Sequence, residues 1–261
     1  MTMTAENGSL TAHHAGPATD GRIRWRVCDS PADLAEQLAA RVAADLARAA
    51  AARGKASLVL PGGRTPRPFY RALAGMAVPW EAVTVVPSDE RWVREDDPRA
   101  NLGAIRAVFA GTEAARARLI SLYEPTAATP EQAIPAIRRR LASCPAPHDW
   151  VILGMGADGH VASLFPGISR AAAGGELVAA PPAPRPPGIA EPRISLGLPL
   201  LASGRQVGLL ITGWRKRHVF EAALAGKADP PLPVRLLAEA AAALDVFWAP
   251  EADEPRQGDR S

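Results

Sequence analysis

Apolar residues follow two alternating patterns along the chain. Short, continuous apolar runs alternate with longer stretches in which apolar positions return every three or four residues. A short continuous run is typical of a strand covered on both faces, and the longer periodic stretch is typical of an amphipathic helix. The pattern predicts strands at Trp25–Val27, Ser57–Leu60, Ala82–Val86, Trp150–Leu153, Val207–Ile211 and Leu244–Trp248.

The clearest helix follows the first predicted strand. Apolar side chains recur every four residues from Leu34 to Leu46, as on the buried face of a helix. Ser30 is a good N-cap, Pro31 suits the first helical position, and Gly54 is typical of a helix C-terminus. Similar patterns predict further helices at Pro66–Leu73, Pro98–Phe109, Pro130–Leu141 and Trp214–Leu224.

The alternation of strands and helices predicts an α/β fold, with a mostly parallel sheet flanked by helices on both faces. We expect residues 22–250 to form a single domain. Residues 1–21 and 251–261 lack periodicity and are predicted to be disordered tails. The stretch Pro181–Pro192 contains too much proline for a helix or a sheet interior, which predicts a surface loop or an arm over the site.

Charge and cysteine content argue against several classes of protein. The net charge is only +3, which gives no strong field for nucleic acid or a membrane surface. Cys28 and Cys144 are far apart, so neither a metal site nor a disulfide scaffold is expected. The chain shows no secretion signal and no apolar run of transmembrane length. These features predict a cytoplasmic protein without a metal, with no nucleic-acid or membrane partner and no obligate protein partner.

Open parallel sheets bind ligands at the carboxyl ends of their strands, so residues at those positions are candidates for a site. Gly62 and Gly63 follow the strand Ser57–Leu60, and Arg64 and Thr65 come directly after them. Glycines allow the backbone to approach an anion closely, and the next helix would present free N–H groups to it. The same glycines would also suit a tight turn without a ligand, so the local pattern leaves both interpretations open.

Consecutive ionisable residues follow the next predicted strand, Ala82–Val86. Asp89, Glu90 and Arg91 stand almost directly after it. These side chains either contact a polar ligand at the sheet edge or form a solvated turn.

A glycine-rich segment follows the strand Trp150–Leu153. Gly154, Gly156 and Gly159 match the spacing of a dinucleotide-binding loop, but Pro166 ends the following helix after about a turn and a half. A dinucleotide site needs a long helix at this point. The spacing is therefore not interpreted as a dinucleotide site.

The same segment carries Asp158 and His160. Histidine is the usual general base near neutral pH, and a nearby carboxylate fixes its tautomer. The residues alone do not decide whether Asp158 or Asp89 is the partner of His160. The chain has no G-x-S-x-G motif, so water is the expected nucleophile rather than a serine.

Two further strand boundaries carry cations. Arg193 follows the proline-rich stretch, and Lys216 follows the strand Val207–Ile211. Each is a weak signal alone, because Lys216 would equally suit the exposed face of a helix.

Together these segments resemble the 6-phosphogluconolactonase family, within a larger group that includes glucosamine-6-phosphate deaminase. The resemblance covers roughly residues 25–250. Its most specific segment is Leu153–Gly167, with the sequence LGMGADGHVASLFPG. The other matching blocks are Ser88–Val93 followed by Asn101, Pro192–Ser195 and Gly213–Lys216.

The resemblance implies a Rossmann-like (NagB/RpiA-like) fold, no cofactor, and hydrolysis of 6-phospho-D-glucono-1,5-lactone in the oxidative pentose phosphate pathway. It implies that His160 is the catalytic base and that Arg193, Lys216 and the glycine turn lie near the phosphate. Arg91 is our candidate to stabilise the oxyanion. The catalytic residues expected are His160, Asp158 and Arg91, and the substrate-binding residues are Gly62, Gly63, Arg64, Thr65, Asp89, Arg193 and Lys216.

Two departures from related sequences affect the interpretation. The family usually has serines where this chain has Pro61 and Arg64, so Arg64 either clamps the phosphate or points to solvent. The deaminases carry a glutamate five residues after the histidine, where this chain has Phe165. Because phenylalanine cannot exchange a proton, a lactonase is favoured over a deaminase. A non-catalytic sugar-phosphate sensor would have no need of the Asp158 and His160 pair.

Overall fold

The computed structural model describes residues 21–180 and 191–251. The predicted tails at residues 1–20 and 252–261 and most of the proline-rich stretch, residues 181–190, lie outside the described residues. The strands are β1 Ile23–Val27, β2 Ala56–Leu60, β3 Val83–Pro87, β4 Asp89–Arg91, β5 Arg118–Leu119, β6 Trp150–Gly154, β7 Leu177–Ala180, β8 Arg193–Leu196, β9 Gln206–Thr212 and β10 Leu244–Ala249. The α-helices are α1 Pro31–Arg53, α2 Arg67–Ala74, α3 Asn101–Phe109, α4 Pro130–Leu141, α5 Arg170–Ala173, α6 Leu198–Ala202, α7 Trp214–Leu224 and α8 Pro233–Ala240.

Seven strands form a parallel sheet in the order β1-β10-β9-β6-β2-β3-β5. On β2, Leu58 and Leu60 pack with α1, α2 and α3, while Val59 packs on the opposite face with α4, α7 and α8. Both faces are therefore buried under helices, which explains why the strands are continuously apolar. The six predicted strands and the α/β class are confirmed.

The ends of the predicted helices depend on local capping groups. Ser30 Oγ accepts a hydrogen bond from Asp33 N at 3.1 Å, and Gly54 ends α1 in a left-handed conformation with φ 69°. The predicted bounds of α1, α4 and α7 are confirmed. The prediction for α3 was wrong at its start, because this helix begins at Asn101 and not at Pro98.

A second sheet was not predicted. β4, β8 and β7 form a three-stranded antiparallel sheet, in which Asp89 pairs with Ser195 and Arg91 pairs with Arg193. β4 has only three residues, all of them charged, so its sequence carries no apolar strand pattern. It is a strand because its backbone hydrogen-bonds to β8, which lies far away along the chain.

The segment after β6 contains no helix. Met155 and Leu164 each form an isolated β-bridge to Val161, and turns fill the rest. The short helix predicted before Pro166 was therefore wrong. Ala162 lies at φ 49°, outside the right-handed helical region, which helps to break any helical run. Across the described ranges, we find no helix with the length and apolar character needed to span a bilayer.

Candidate active site

The candidate site lies where four neighbouring strands end. β9, β6, β2 and β3 are adjacent in the parallel sheet, and the chain reverses its direction of travel across the sheet between β6 and β2. Such a switch point leaves a crevice at the carboxyl edge of the sheet. A cavity of about 250 Å³ opens there. The predicted residues that line it are Gly62, Gly63, Arg64, Thr65, Asp89, Arg91, His160, Arg193 and Lys216.

Asp158 does not line this cavity but lies beside His160, which does. The distance between His160 Nδ1 and Asp158 Oδ1 is 2.6 Å, and the same oxygen accepts a bond from His160 N at 3.2 Å. The imidazole side chain is 32% exposed and the carboxylate is 52% exposed, so solvent reaches the pair. Between the two aspartates left open by the sequence, Asp158 is the one that contacts the ring.

Asp89 instead links three segments of the protein around the site. Its Oδ2 accepts a hydrogen bond from Ser163 Oγ at 2.6 Å and lies 3.8 Å from Arg193 Nη1. Asn101 Nδ2 donates to its Oδ1 at 3.3 Å. A buried carboxylate needs such donors. Asp89 therefore fixes the histidine loop, β8 and α3 relative to one another.

Arg193 lines the cavity with a guanidinium group that has an unsatisfied N–H donor. Its side chain is only 17% exposed, and burial lowers its pKa. Its Nε atom is buried and has no hydrogen-bond partner within the described residues. An unpaired buried donor is costly, and an anionic ligand oxygen would satisfy it.

Lys216 stands in the first turn of α7. Gly213, which precedes this helix, has a φ of 83°, and its carbonyl accepts a hydrogen bond from Trp248 Nε1 at 3.0 Å. Burial lowers the pKa of Lys216. The ammonium group and the positive end of the helix dipole both favour an anion in the cavity.

Three tryptophans pack around Arg217 in the first turn of α7. The guanidinium carbon of buried Arg217 lies 4.8 Å from the ring centroid of Trp25, 5.3 Å from that of Trp214 and 4.7 Å from that of Trp248. Cation–π contacts of this kind stabilise a buried cation. The residue next to Lys216 in sequence is therefore firmly held, which fixes the start of α7.

Comparison with known proteins assigns the chain to a family. A family model described as "Glucosamine-6-phosphate isomerases/6-phosphogluconolactonase" matches residues 29–248. The chain belongs to this family. A curated 6-phosphogluconolactonase from Rhizobium meliloti (strain 1021) is 39% identical over 231 residues, which cover 86% of this chain and 97% of the relative.

Solved structures give the same result. The crystal structure of a 6-phosphogluconolactonase from Shewanella baltica OS155 is 33% identical, with a TM-score of 0.80 over 87% of this chain and 97% of that chain. A monomeric glucosamine-6-phosphate deaminase of the NagB superfamily is 21% identical, with a TM-score of 0.69 over 87% and 97%, which shows a shared fold. The predicted fold class and the prediction of an enzyme of the lactonase kind are confirmed.

Phe165 occupies the position at which the deaminase relatives are expected to carry a glutamate. The ring centroid of Phe165 lies 5.0 Å from that of His160. The guanidinium carbon of Arg193 lies 5.8 Å from the ring centroid of Phe165. The ring therefore contacts both the imidazole and the guanidinium. At this position the chain carries an apolar side chain that packs against both.

Arg64 is exposed and lines the cavity, and its guanidinium forms no ion pair or hydrogen bond with a described residue. Thr65 lines the cavity beside it. The position of Arg64 at the rim leaves it accessible both to a ligand and to solvent. In the described ranges, no three His, Cys, Asp or Glu side chains come close enough together to hold a metal ion.

Glu90 and Asn101 contribute to the site in ways that the sequence analysis did not assign. Asn101 Oδ1 accepts a hydrogen bond from Arg91 Nη1 at 2.9 Å. The buried carboxylate of Glu90 accepts bonds from Asn101 N at 2.7 Å and Leu102 N at 2.8 Å, which caps α3. The sequence signal for this cap was Ala100, which directly precedes α3 and has no side chain that could cap it. A helix that starts after such a residue needs a capping group from elsewhere in the chain.

Glu90 predicts a pH dependence of stability. Burial raises its pKa from 4.5 to about 7, despite three backbone N–H donors. Between these values the unfolded state ionises Glu90 while the native state keeps it protonated, so stability falls as pH rises. Relative to Glu90→Gln, the wild type should lose about 3 kcal/mol of unfolding free energy across this range.

Urea unfolding of both proteins at several pH values between 4.5 and 7 measures this difference. The lost hydrogen bond lowers the unfolding free energy of Glu90→Gln by the same amount at every pH, so it does not change the slope of the difference against pH. Parallel pH profiles for the two proteins would contradict the raised pKa.

Proposed function

We propose that the chain hydrolyses 6-phospho-D-glucono-1,5-lactone to 6-phospho-D-gluconate, as a cytoplasmic enzyme of the oxidative pentose phosphate pathway. The observation that carries this proposal is His160, which is paired with Asp158 and lines one cavity together with Arg193 and Lys216. A base and two cations suit a substrate that has a reactive carbonyl at one end and a phosphate at the other. The lactonase relatives support the same substrate.

The phosphate would bind between the Gly62–Gly63 turn, Arg193 and Lys216. The buried Nε of Arg193 gains a partner in this arrangement, and the ammonium of Lys216 faces an opposite charge. Binding the phosphate there would place the lactone ring toward His160. The cations thus orient the reacting carbonyl through a remote group of the substrate.

His160 would act as the general base. Its Nδ1–H donates to Asp158, which leaves Nε2 free to take a proton from water. The hydroxide oxygen then bonds to the lactone carbonyl carbon, and the carbonyl π pair moves to the oxygen. Arg91 is the candidate donor to this oxyanion, because Gly156 N and Gly159 N of the glycine loop already donate to the carbonyls of His160 and Gly156.

Collapse of the tetrahedral intermediate re-forms the carbonyl and breaks the bond between that carbon and the ring oxygen. Protonated His160 returns its proton to the departing oxygen, which becomes a hydroxyl group. The products are the open sugar acid and the neutral imidazole. The enzyme is therefore ready for another cycle without any cofactor.

Hydrolysis of freshly prepared 6-phosphogluconolactone by the full chain, coupled to detection of 6-phosphogluconate, tests the proposal. A reaction without enzyme is needed because this lactone also opens unaided. Ammonia release from glucosamine 6-phosphate tests the deaminase alternative in parallel. Sugar-phosphate binding without turnover in either assay would favour a sensor and reject the proposed reaction.

Gly156 provides a test of the loop that supports the base. A Cβ atom at this position would lie 2.2 Å from His160 Nδ1 and 2.5 Å from Asp158 Oδ1. Gly156→Ala should therefore displace the pair and lower kcat by about 10–100-fold. Gly75→Ala is the matched control, because its nearest neighbour would lie at 3.5 Å. Unchanged kcat in Gly156→Ala would show that the observed position of the ring is not required.

A further inference from the structure

A second, smaller cavity lies beside the active-site cleft. Its volume is about 120 Å³, roughly half that of the cleft. It shares the Gly62–Gly63 turn with the cleft but extends toward Arg67 at the start of α2 and Ala100 before α3. His160, Arg193 and Lys216 do not line it. Gly62, Gly63, Arg64 and Arg91 line both cavities, whereas Arg67 lines the second cavity and not the cleft.

The lining of this second cavity is strongly basic. Arg64, Arg67 and Arg91 line it, and none of the aspartates and glutamates that the structure describes does. The guanidinium groups of Arg64 and Arg67 form no ion pair or hydrogen bond with a described residue, whereas Arg91 Nη1 donates to Asn101 Oδ1 at 2.9 Å. Three cations at one small cavity without an acidic partner repel one another, and an anion between them would relieve this repulsion.

Nearby exposed arginines behave differently. Arg94 pairs with Asp96 at 3.1 Å, Arg99 pairs with Asp97 at 2.8 Å, and Arg106 pairs with Glu95. Among residues 21–180 and 191–251, acidic partners therefore pair with the arginines around α3 but not with Arg64 or Arg67.

The backbone adds to the positive potential of this cavity. α2 begins at Arg67, and Pro66 before it provides no side-chain cap. The N-terminus of a helix carries a partial positive charge that favours phosphate groups. Pro61 closes the floor of the cavity, and its carbonyl accepts a hydrogen bond from the buried hydroxyl of Tyr70, which holds the turn in place.

We propose that Arg64, Arg67 and Arg91 form a second anion site, which binds a phosphoryl group while the cleft is occupied by substrate. The ligand is either free phosphate or the phosphate of a sugar acid. Arg91 lines both cavities, so an anion in the second site competes with the cleft for its guanidinium. Occupancy of the second site therefore slows turnover without displacing the substrate. Only this kinetic consequence rests on the proposed lactonase function.

Isothermal titration of the full chain with inorganic phosphate tests the site itself. We expect two binding events in the wild type, one of which weakens at least about tenfold in Arg67→Ala and in Arg67→Met. Arg71→Ala, an exposed arginine one turn further along α2, is the matched control and should bind like the wild type. A single binding event, or two events that Arg67→Ala leaves unchanged, would overturn the proposal.

The identity of the ligand follows from titration with 6-phosphogluconate in the presence of saturating phosphate. Loss of the Arg67-dependent event identifies free phosphate as the ligand, and its persistence identifies the sugar acid. In the hydrolysis assay, phosphate inhibition should be mixed in the wild type and purely competitive in Arg67→Ala. Competitive inhibition in both would refute the coupling through Arg91. Two binding events in a protein without lactonase activity would reject only the proposed function.

Discussion

Replacement of His160 by asparagine is expected to lower kcat for lactone hydrolysis by about 10²–10⁴-fold. Asparagine is similar in size but cannot take a proton from water at neutral pH. The 2.6 Å contact between His160 Nδ1 and Asp158 should fix the tautomer that leaves Nε2 unprotonated. Initial rates, corrected for spontaneous opening of the lactone, measure the effect.

Two further variants separate catalysis from folding. His218 is an exposed histidine on α7, and His218→Asn should retain the wild-type rate. Asp158→Asn should lose less activity than His160→Asn, because it removes the orienting group and keeps the base. Full activity in a folded His160→Asn protein would rule out the proposed mechanism.

Substitution of either cation that we propose binds the phosphate should produce the second large effect. Arg193→Met or Lys216→Met removes a half-buried charge from the cavity and should cost about 2–4 kcal/mol of transition-state binding, or roughly 30–1000-fold in kcat/KM. The loss should appear both as a higher KM and as a lower kcat, because the cations would bind the phosphate and also orient the reacting carbonyl. Arg215→Met is the matched control, since Arg215 is an exposed neighbour of Lys216.

The unphosphorylated substrate isolates the interaction responsible. Glucono-1,5-lactone has the same reactive carbonyl but no phosphate for Arg193 or Lys216 to bind. The wild type and both variants should therefore hydrolyse it at similar, low kcat/KM values. Equal losses on both substrates would show that these residues support the structure of the cleft and do not bind the phosphate.

Phe165 places an apolar ring beside the histidine loop. The residue contacts both His160 and Arg193 through its ring, so no ionisable group stands between the base and that cation. A glutamate at this position would add a second proton carrier and an ion-pair partner for Arg193. The apolar ring leaves Arg193 available for the substrate phosphate that we propose it binds.

The sequence by itself determined six of the seven strands of the main sheet, its principal helices and the candidate site loops, whereas the two-residue strand β5 was too short to predict. Continuous apolar runs such as Trp150–Leu153 can be buried only between two layers, so their pattern indicates strands. Capping residues such as Ser30 and Gly54 act within one turn, which is why the bounds of α1 were predictable. Because ligands of parallel sheets bind at strand ends, the residues at those ends could be selected before their positions were known.

Only the tertiary structure decided how those loops meet. The choice between Asp158 and Asp89 as the partner of His160 depended on side-chain directions, which sequence proximity does not fix. The pairing of Arg91 with Arg193 and the capping of α3 by Glu90 join segments that are distant along the chain. Periodicity and turn chemistry are local, whereas strand register, carboxylate burial and the unpaired Nε of Arg193 depend on which surfaces the folded chain brings together.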